Sequence, residues 1–278
     1  MKMTKPKNKE EYLKKIKALK LFDDDFMNIV FQDRACLELL LDVILNIKDP
    51  KISQFETQKH IDNEQGRSIV LDLFMLVNDS RYVNFEVQRN KKGADDKRMR
   101  MHASLIDMIL SYPGMDFKDM PNESVIFIVE FDKYGLGWPI YYVNRAINKI
   151  FNIFEDGIDI IVVNGAYRGD DPIGRLMHDF SCSDAKDMYN EVLSKRVKYL
   201  KEEEGVNDMC EIFDEFRIEC EARGEARGEA RGEAKGETNG IVKALKSLME
   251  TLNMTLEEAM KALKIKSEDK DKYRKLVN

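Results

Sequence analysis

RSIVLDLFMLVNDSRYVNFEVQR, residues 67–89, holds two runs rich in β-branched and aromatic side chains, Ser68 to Val77 and Arg81 to Arg89. Between them stand Asn78, Asp79 and Ser80, whose short polar side chains bond to nearby backbone and favour a turn. The pattern predicts a β-hairpin. In the first run Asp72 alone interrupts an apolar segment, and a carboxylate left unpaired there costs roughly several kcal/mol. In the second run Val83, Phe85 and Val87 alternate with Tyr82, Asn84, Glu86 and Gln88, which sets Glu86 and Gln88 on one face. Centring the hairpin on Asp79 places Asp72 opposite Glu86 and Val70 opposite Gln88, with facing Cβ atoms about 5 Å apart. A loop one residue shorter or longer would send Asp72 to the other face unless a bulge restored it.

Two carboxylates so close repel each other unless they share a proton or a cation. The ligands on offer, including the Val87 carbonyl between them, are hard oxygens suited to Mg²⁺ or Mn²⁺. Spacing alone leaves a second reading open, in which Asp72 pairs with an arginine and Glu86 faces solvent on a half-exposed sheet.

The chain has 278 residues, 43% hydrophobic and 35% charged, with a net charge of −6. That is room for one sizeable domain or two modest ones in a soluble protein. No apolar run reaches about 18 residues and no charged-then-apolar leader is present, so neither a membrane span nor secretion is expected. Cys36, Cys182, Cys210 and Cys220 show no CxxC or Cys/His ligand spacing, which fits reduced thiols and a cytoplasmic location. A net acidic chain grips nucleic acid only through local basic patches. One is the lysine-rich arm from Lys2 to Lys20. The other follows the hairpin, where Arg89, Lys91, Lys97 and Arg98 are the candidate phosphate contacts. No GxGxxG or GxxxxGK[ST] loop marks a nucleotide site.

Taken in order, residues 1–21 form a basic arm, either a solvated tail or a helix. Apolar residues at helical spacing from Asp23 to Asn46 predict a helix pair or one bent helix, with acidic residues at its start. After Gly93, Asp95-Asp96 opens a helix to about Tyr112, with Met101, Leu105, Met108 and Ile109 facing the core. Lys97, Arg98 and His102 look toward the carboxylates, although His102 reads more readily as a packing residue than as a base. Ser124 to Phe131 and Ile158 to Val163 predict central strands; Ile140 to Ile147 reads as an edge strand or a helix. Gly135-Leu136-Gly137-Trp138 and the glycines at 165, 169 and 174 read as turns. A helical extension over 181–238 starts near Ser181 or Asp184, restarts after Gly205, and runs into a Glu-Ala-Arg-Gly repeat. A glycine every fourth residue, costing about 1 kcal/mol each, leaves that tract either a charged spacer or a coiled coil. Residues 239–278 form a small helical unit with a capping box at Thr255 and Glu258.

An acid in the first strand followed by Glu-x-Gln in the second, here Asp72 with Glu86-Val87-Gln88, resembles the PD-(D/E)xK nucleases, and among them the Rpn family of recombination-promoting nucleases and transposases. Asp24-Asp25-Phe26-Met27 leading to Val30-Phe31, Gly66-Arg67-Ser68, the run from Asn164 to Gly174, Leu176 to Ser181, and the Glu-Ala-Arg-Gly tract with its helical tail are similar to segments of that family. The similarity covers about Phe22 to the C-terminus. It implies an α/β, restriction-endonuclease-like mixed β-sheet core over 22–180, flanked by helices and followed by an all-helical C-terminal extension. It also implies a metal-dependent DNA endonuclease in which Asp72, Glu86 and the Val87 carbonyl hold Mg²⁺ or Mn²⁺. Alignment on Phe31 makes Asp24 the family's additional acid, unless it only caps its helix. Gln88 departs from the superfamily's lysine. A neutral amide orients water or phosphate yet supplies no positive charge, so Lys91, Lys97 or Arg98 provides it or the enzyme is slow. DNA is the implied partner, with a homo-oligomer through the C-terminal helices and no membrane. The alternatives are a nuclease-fold DNA-binding or assembly protein with weak or no catalysis, and a DDE-type integrase, which Glu-x-Gln fits less well.

Overall fold

The Asn78-Asp79-Ser80 turn joins β2 (Ile69–Val77) to β3 (Arg81–Gln88) antiparallel, with Leu73 opposite Phe85, Phe74 opposite Asn84 and Val77 opposite Arg81. That is the register centred on Asp79. Asn78 and Asp79 both hold φ of 52°, a left-handed conformation that Asn and Asp tolerate better than other residues with a side chain. The computed structural model describes residues 9–63, 66–150, 152–202, 236, 238–266 and 269–277. It divides into Met1–Ile212 and Phe213–Asn278.

In the first unit β3 pairs in parallel with β4 (Asn122–Val129), and β4 with β8 (Ile158–Asn164). The edge strand β5 (Ile140–Val143) runs antiparallel to β8, so the strand reading of this segment holds. A two-residue ladder, β6 (Ala146–Ile147) with β7 (Asn152–Ile153), follows it. The sequence reading has no counterpart for β1 (Ile52–Ile61), which covers the outer edge of β2. Its register shifts between Ser53 and Glu56, and Gln54 and Gln58 both have φ of 51°. Such irregularity breaks the two-residue alternation by which strands are recognised. The result is a six-stranded mixed sheet, ordered β1-β2-β3-β4-β8-β5.

On one face, α4 (Asp96–Leu110) packs over Val125, Phe127 and Val129. Asp95 caps this helix by accepting from the Lys97 N–H at 2.8 Å. Its inward stripe is the expected one only in part: Leu105 is buried and Met101 packs half-buried against the core, but Met99, His102, Ala103 and Ile106 are also buried, whereas Met108 and Ile109 are 44% and 38% exposed. Two stripes at i, i+3, i+4, i+7 spacing compete on this helix. The one through Met99 and Ala103 wins, and His102, counted as polar in a sequence reading, stacks edge-on against Phe127 with ring centroids 5.3 Å apart.

Ile126 and Ile128, pointing the other way, are equally buried. A second layer contains α2 (Asp24–Val30), α3 (Arg34–Leu45), α5 (Pro172–Ser181) and α6 (Glu191–Lys201), in which Phe180 meets Phe22 edge-on and stacks on Phe31. The Asp23–Asn46 segment is thus a helix pair. Of the two readings of the arm, the helical one holds for α1 (Lys9–Ala18), where Ile16 is fully buried. The Lys201 ammonium donates to the Lys17 and Leu19 carbonyls at the end of α1. The helix expected to begin at Ser181 or Asp184 begins later. Ser181 closes α5, Asp184 caps only a 3-10 turn at Ala185–Asp187, and α6 follows the N-cap Asn190.

In the second unit residues 238–252 are helical (α7), followed by α8 (Leu256–Ala262) and α9 (Lys270–Val277). They gather around Leu245, Met260 and Tyr273. The capping box forms as expected: the Thr255 side chain accepts from the Glu258 N–H, and the Thr255 N–H donates to Glu258 Oε2. Residues 1–8, the helix expected after Gly205 and the Glu-Ala-Arg-Gly tract, apart from Gly236, lie outside the described residues. Among the described residues no helix is long and apolar enough to cross a membrane.

Glu123 on β4 is 1% exposed and neither carboxylate oxygen has a hydrogen-bond partner. Burial first, then the charge of Asp107, pushes its pKa from 4.5 to about 9. The folded chain therefore keeps a proton that the unfolded chain releases, and stability falls as pH rises from 4.5 to about 9. Glu123→Gln, neutral throughout, should change the melting temperature little near pH 5 and raise it by several degrees near pH 9. Parallel melting curves for the two chains across that range would show the carboxyl to be ionised in the fold.

Candidate active site

Where the β2–β3 ladder ends at Leu73 and Phe85, side chains take over its hydrogen bonds. The Asp72 N–H donates to Glu86 Oε1 at 3.1 Å, and the Val87 N–H donates to Asp72 Oδ2 at 3.1 Å. Asn84 Nδ2 donates to Glu86 Oε1 at 3.0 Å and Gln58 Nε2 to Asp72 Oδ1 at 3.2 Å. The two acids meet as the register predicts, and both halves of the structural alternative fail. Asp72 takes its hydrogen bonds from an amide and a backbone N–H rather than from an arginine, and Glu86 is 1% exposed rather than facing solvent. Burial, followed by the charges of Glu86 and Asp24, holds the Asp72 carboxyl well above its ordinary range.

Gln58, the donor to Asp72, is one of the two left-handed residues of β1. A non-glycine residue held in that conformation stores strain, and such strain gathers at functional sites. No sequence pattern pointed to it.

Asp24 enters from α2. Asp23 occupies the N-cap position, and Asp24, the first helical residue, lines one cleft with Asp72 and Gln88. Its pKa is raised to about 6 by burial, then by the charges of Asp25 and Glu86. The helix before the hairpin thus delivers a third carboxylate, as the additional-acid reading requires.

The cleft measures about 680 Å³ and is bordered by Arg67, Lys92, Lys97 and Arg98. Two of the four expected phosphate contacts, Lys97 and Arg98, line it. The other two are placed elsewhere. Arg89 pairs with Asp23 and Glu130, and Lys91 lies 6.0 Å from the Phe131 ring centroid. Both follow the end of β3, where the chain turns away from the carboxylates. Arg67 and Lys92 take their place; Lys92 belongs to the basic run that follows the hairpin in sequence, whereas Arg67 did not stand out, because the whole of the hairpin separates it from that run.

Arg98 is central. Its guanidinium lies 3.4 Å from Gln88 Oε1 and 3.8 Å from Glu86 Oε2, and its Nε donates to His102 Nε2 at 3.3 Å. A His102 nitrogen that accepts leaves the ring proton on Nδ1. Nδ1 is buried without a hydrogen-bond partner, and Glu86 Oε1 stands 3.5 Å away. Glu86 thus has one oxygen fixed by two N–H groups beside a third, and the other facing only a cation. Gly93 makes the arrangement possible, since a Cβ there would come within 1.7 Å of Gln88 Oε1.

A second group of ligand-type side chains, His178, Asp179 and Cys182, has its donor atoms within 4.8 Å of one another. Its His-x-x-x-Cys spacing was missed in sequence. Asp179 is fully buried and accepts from the Tyr189 N–H, the Asn190 N–H and Asn190 Nδ2 at 2.7, 2.8 and 2.7 Å. Burial pushes the Cys182 thiol above its ordinary pKa. Asp179, satisfied by these three donors, ties α5 to the segment that leads into α6.

Comparison of the chain with protein-family models, curated proteins and solved structures finds no match.

Proposed function

We propose that the chain is a metal-dependent nuclease that hydrolyses DNA phosphodiester bonds, with the restriction-endonuclease-like fold and the PD-(D/E)xK chemistry that Asp72 and Glu86-Val87-Gln88 resemble. One observation carries the reading. Helix α2 and the two strands of the hairpin bring Asp24, Asp72 and Glu86 near one another, where burial and mutual repulsion raise two of their pKa values. Such a cluster destabilises a fold unless a cation joins it, and perturbed acids in a cleft mark functional sites.

The donor set fits Mg²⁺ or Mn²⁺, because every available ligand is a hard oxygen. Asp72 and Glu86 would hold the ion together with the Val87 carbonyl, which leaves the strand on the edge where the Val87 N–H meets Asp72. Asp24 adds a further oxygen. When bound, the ion supplies a Lewis acid for the phosphoryl oxygen and a water of lowered pKa.

The protein's own groups do the rest. Arg98 stands beside Gln88, so a guanidinium from α4 supplies the positive charge that the superfamily's lysine brings from the strand. With its oxygen turned to Arg98, Gln88 keeps its NH₂ group to orient water or phosphate. Arg67, Lys92 and Lys97 hold the flanking phosphates, a local basic patch in a chain of net charge −6. A cytoplasmic location belongs to the same reading.

Incubated with supercoiled plasmid, the chain is expected to produce nicked circles in Mg²⁺ or Mn²⁺ and none in EDTA. Intact plasmid in both metals would overturn the assignment in favour of a nuclease-fold protein that binds without cutting.

A further inference from the structure

The loop that follows β4 is pinned by one carboxylate. Asp132 accepts from the N–H groups of Tyr134, Gly135 and Gly137 at 3.2, 2.9 and 2.7 Å, and from the Tyr141 hydroxyl at 2.7 Å. Gly135 and Gly137 hold φ of 70° and 74°, a conformation glycine adopts without strain. Lys133 Nζ donates to the Ala94 carbonyl at 2.6 Å and the Tyr134 hydroxyl to Asp96 at 3.2 Å, fastening the loop to the start of α4. A loop held this firmly could bury its apolar side chains. It displays them instead: Leu136 is 68% exposed and Trp138, the only tryptophan in the chain, 64%.

The position of this loop in the sheet bears on its use. Asn164 donates from its N–H to the Pro139 carbonyl and from Nδ2 to the Trp138 carbonyl. Asn164 pairs with Val129, and Val129 with Gln88. Trp138 therefore stands level with Gln88, at the carboxyl ends of the parallel strands where α/β sheets bind ligands. Three strand spacings separate them, about 14 Å. Residues 92–98 join the two places, because Ala94 and Asp96 hold the loop while Lys92, Lys97 and Arg98 line the cleft.

We propose that Trp138 is a stacking platform for an unpaired base of the DNA strand held in the cleft, which makes single-stranded or locally unpaired DNA the substrate. The location of the cut phosphate rests on the nuclease reading, whereas stacking at Trp138 does not. Lys92, Lys97 and Arg98 on this path outnumber Asp95 and Asp96 beside them, a local excess of positive charge that suits a polyanion. A rigid exposed indole beside that path suits a base, whose π-face stacks on an aromatic side chain whatever its sequence. A stacked base within a few nucleotides of the scissile phosphate would hold the strand open and in line.

Because Trp138 is the only tryptophan, indole emission excited beyond the tyrosine band reports on it alone. The full-length chain, free of metal, is titrated with a thymidine oligonucleotide and separately with a blunt duplex of equal length. The single strand should quench the emission, and in a second titration followed by the anisotropy of a labelled oligonucleotide Trp138→Ala should weaken single-strand binding about tenfold while duplex binding and melting temperature stay unchanged. Trp138→Phe should recover most of the loss. Unmoved emission while the oligonucleotide binds, no single-strand binding, or wild-type affinity in Trp138→Ala would each overturn the proposal. So would emission that responds to protein concentration and not to DNA, which would mark a self-association surface. Since neither metal nor cleavage enters the measurement, failure of the plasmid assay and failure of this one are separate results.

Discussion

Asp72→Asn is expected to raise the melting temperature of the metal-free chain and, in the same molecule, to reduce DNA cleavage by about a thousandfold or more. The stability half follows from linkage. Asp72 is buried beside Glu86 and Asp24, and its carboxyl is held well above the ordinary value of 3.8. The folded state thus clings to a proton that the unfolded chain gives up, so Asp72 costs more stability as pH rises from the ordinary range through the folded value. Asparagine removes that cost. Its oxygen can still accept from the Val87 N–H, and the Gln58 amide can turn its own oxygen to the new NH₂ group. The gap between variant and wild type should therefore widen with pH. The activity half follows from the chemistry a divalent ion brings. Losing a ligand that sets a Lewis acid worth about 4 kcal/mol corresponds to about a thousandfold in rate. Glu86→Gln should lose activity to a similar degree. Added Mg²⁺ should raise the wild-type melting temperature, because only the folded chain binds it, and leave both variants unmoved. A variant that cuts at the wild-type rate would remove these carboxylates from the chemistry. One that melts lower at every pH would show Asp72 to be a structural acid. Stability given up at a working site is the usual trade between folding and function.

The hairpin and the meeting of its acids were legible because both depend on local rules. Three turn-forming residues fix the register, and the register fixes the face. The capping box at Thr255 and the buried central strands yielded to the same kind of reading. What escaped depends on contacts between elements. The inward face of α4 is chosen by which stripe lets the helix approach Phe127, and that choice makes His102 both the packing residue expected and a close neighbour of Glu86. The delayed start of α6 is set by Asp179, buried in α5, which draws in the N–H groups of Tyr189 and Asn190. Among the cations, nearness to Gln88 along the chain does not decide: Arg89 and Lys91 point elsewhere, whereas Lys92 lines the cleft and Arg98, in the first turn of α4, reaches both Gln88 and Glu86, as expected of it. Asp24 was placed by resemblance, and only the packing of α2 shows how it arrives at the cleft.

Asp179→Ala should be the most damaging single change to the first unit outside the site. Its carboxylate is fully buried and satisfies three N–H groups, all on the segment that leads into α6. Alanine removes the one acceptor these part-buried donors share, at up to about 1–3 kcal/mol for each group left unsatisfied. Even without full additivity the loss is about 3–6 kcal/mol. For a unit of this size that lowers the melting temperature by about 10 °C or more. Asp184→Ala gives the scale for comparison. Asp184 caps only an exposed 3-10 turn, and losing it should cost about 1 kcal/mol. Cys182→Ser separates the two roles open to this cluster. If the acid is a clamp, the serine variant melts within a few degrees of wild type while Asp179→Ala collapses. If His178, Asp179 and Cys182 hold a metal, both variants lose stability together and a chelator lowers the wild-type melting temperature to match. The clamp also reaches the candidate site. Phe180, next in sequence, stacks on Phe31 and meets Phe22 edge-on, and these two rings bracket the helix that begins at Asp24. Loosening α5 should therefore weaken Mg²⁺ binding in whatever Asp179→Ala chain remains folded, a loss that Asp184→Ala does not share.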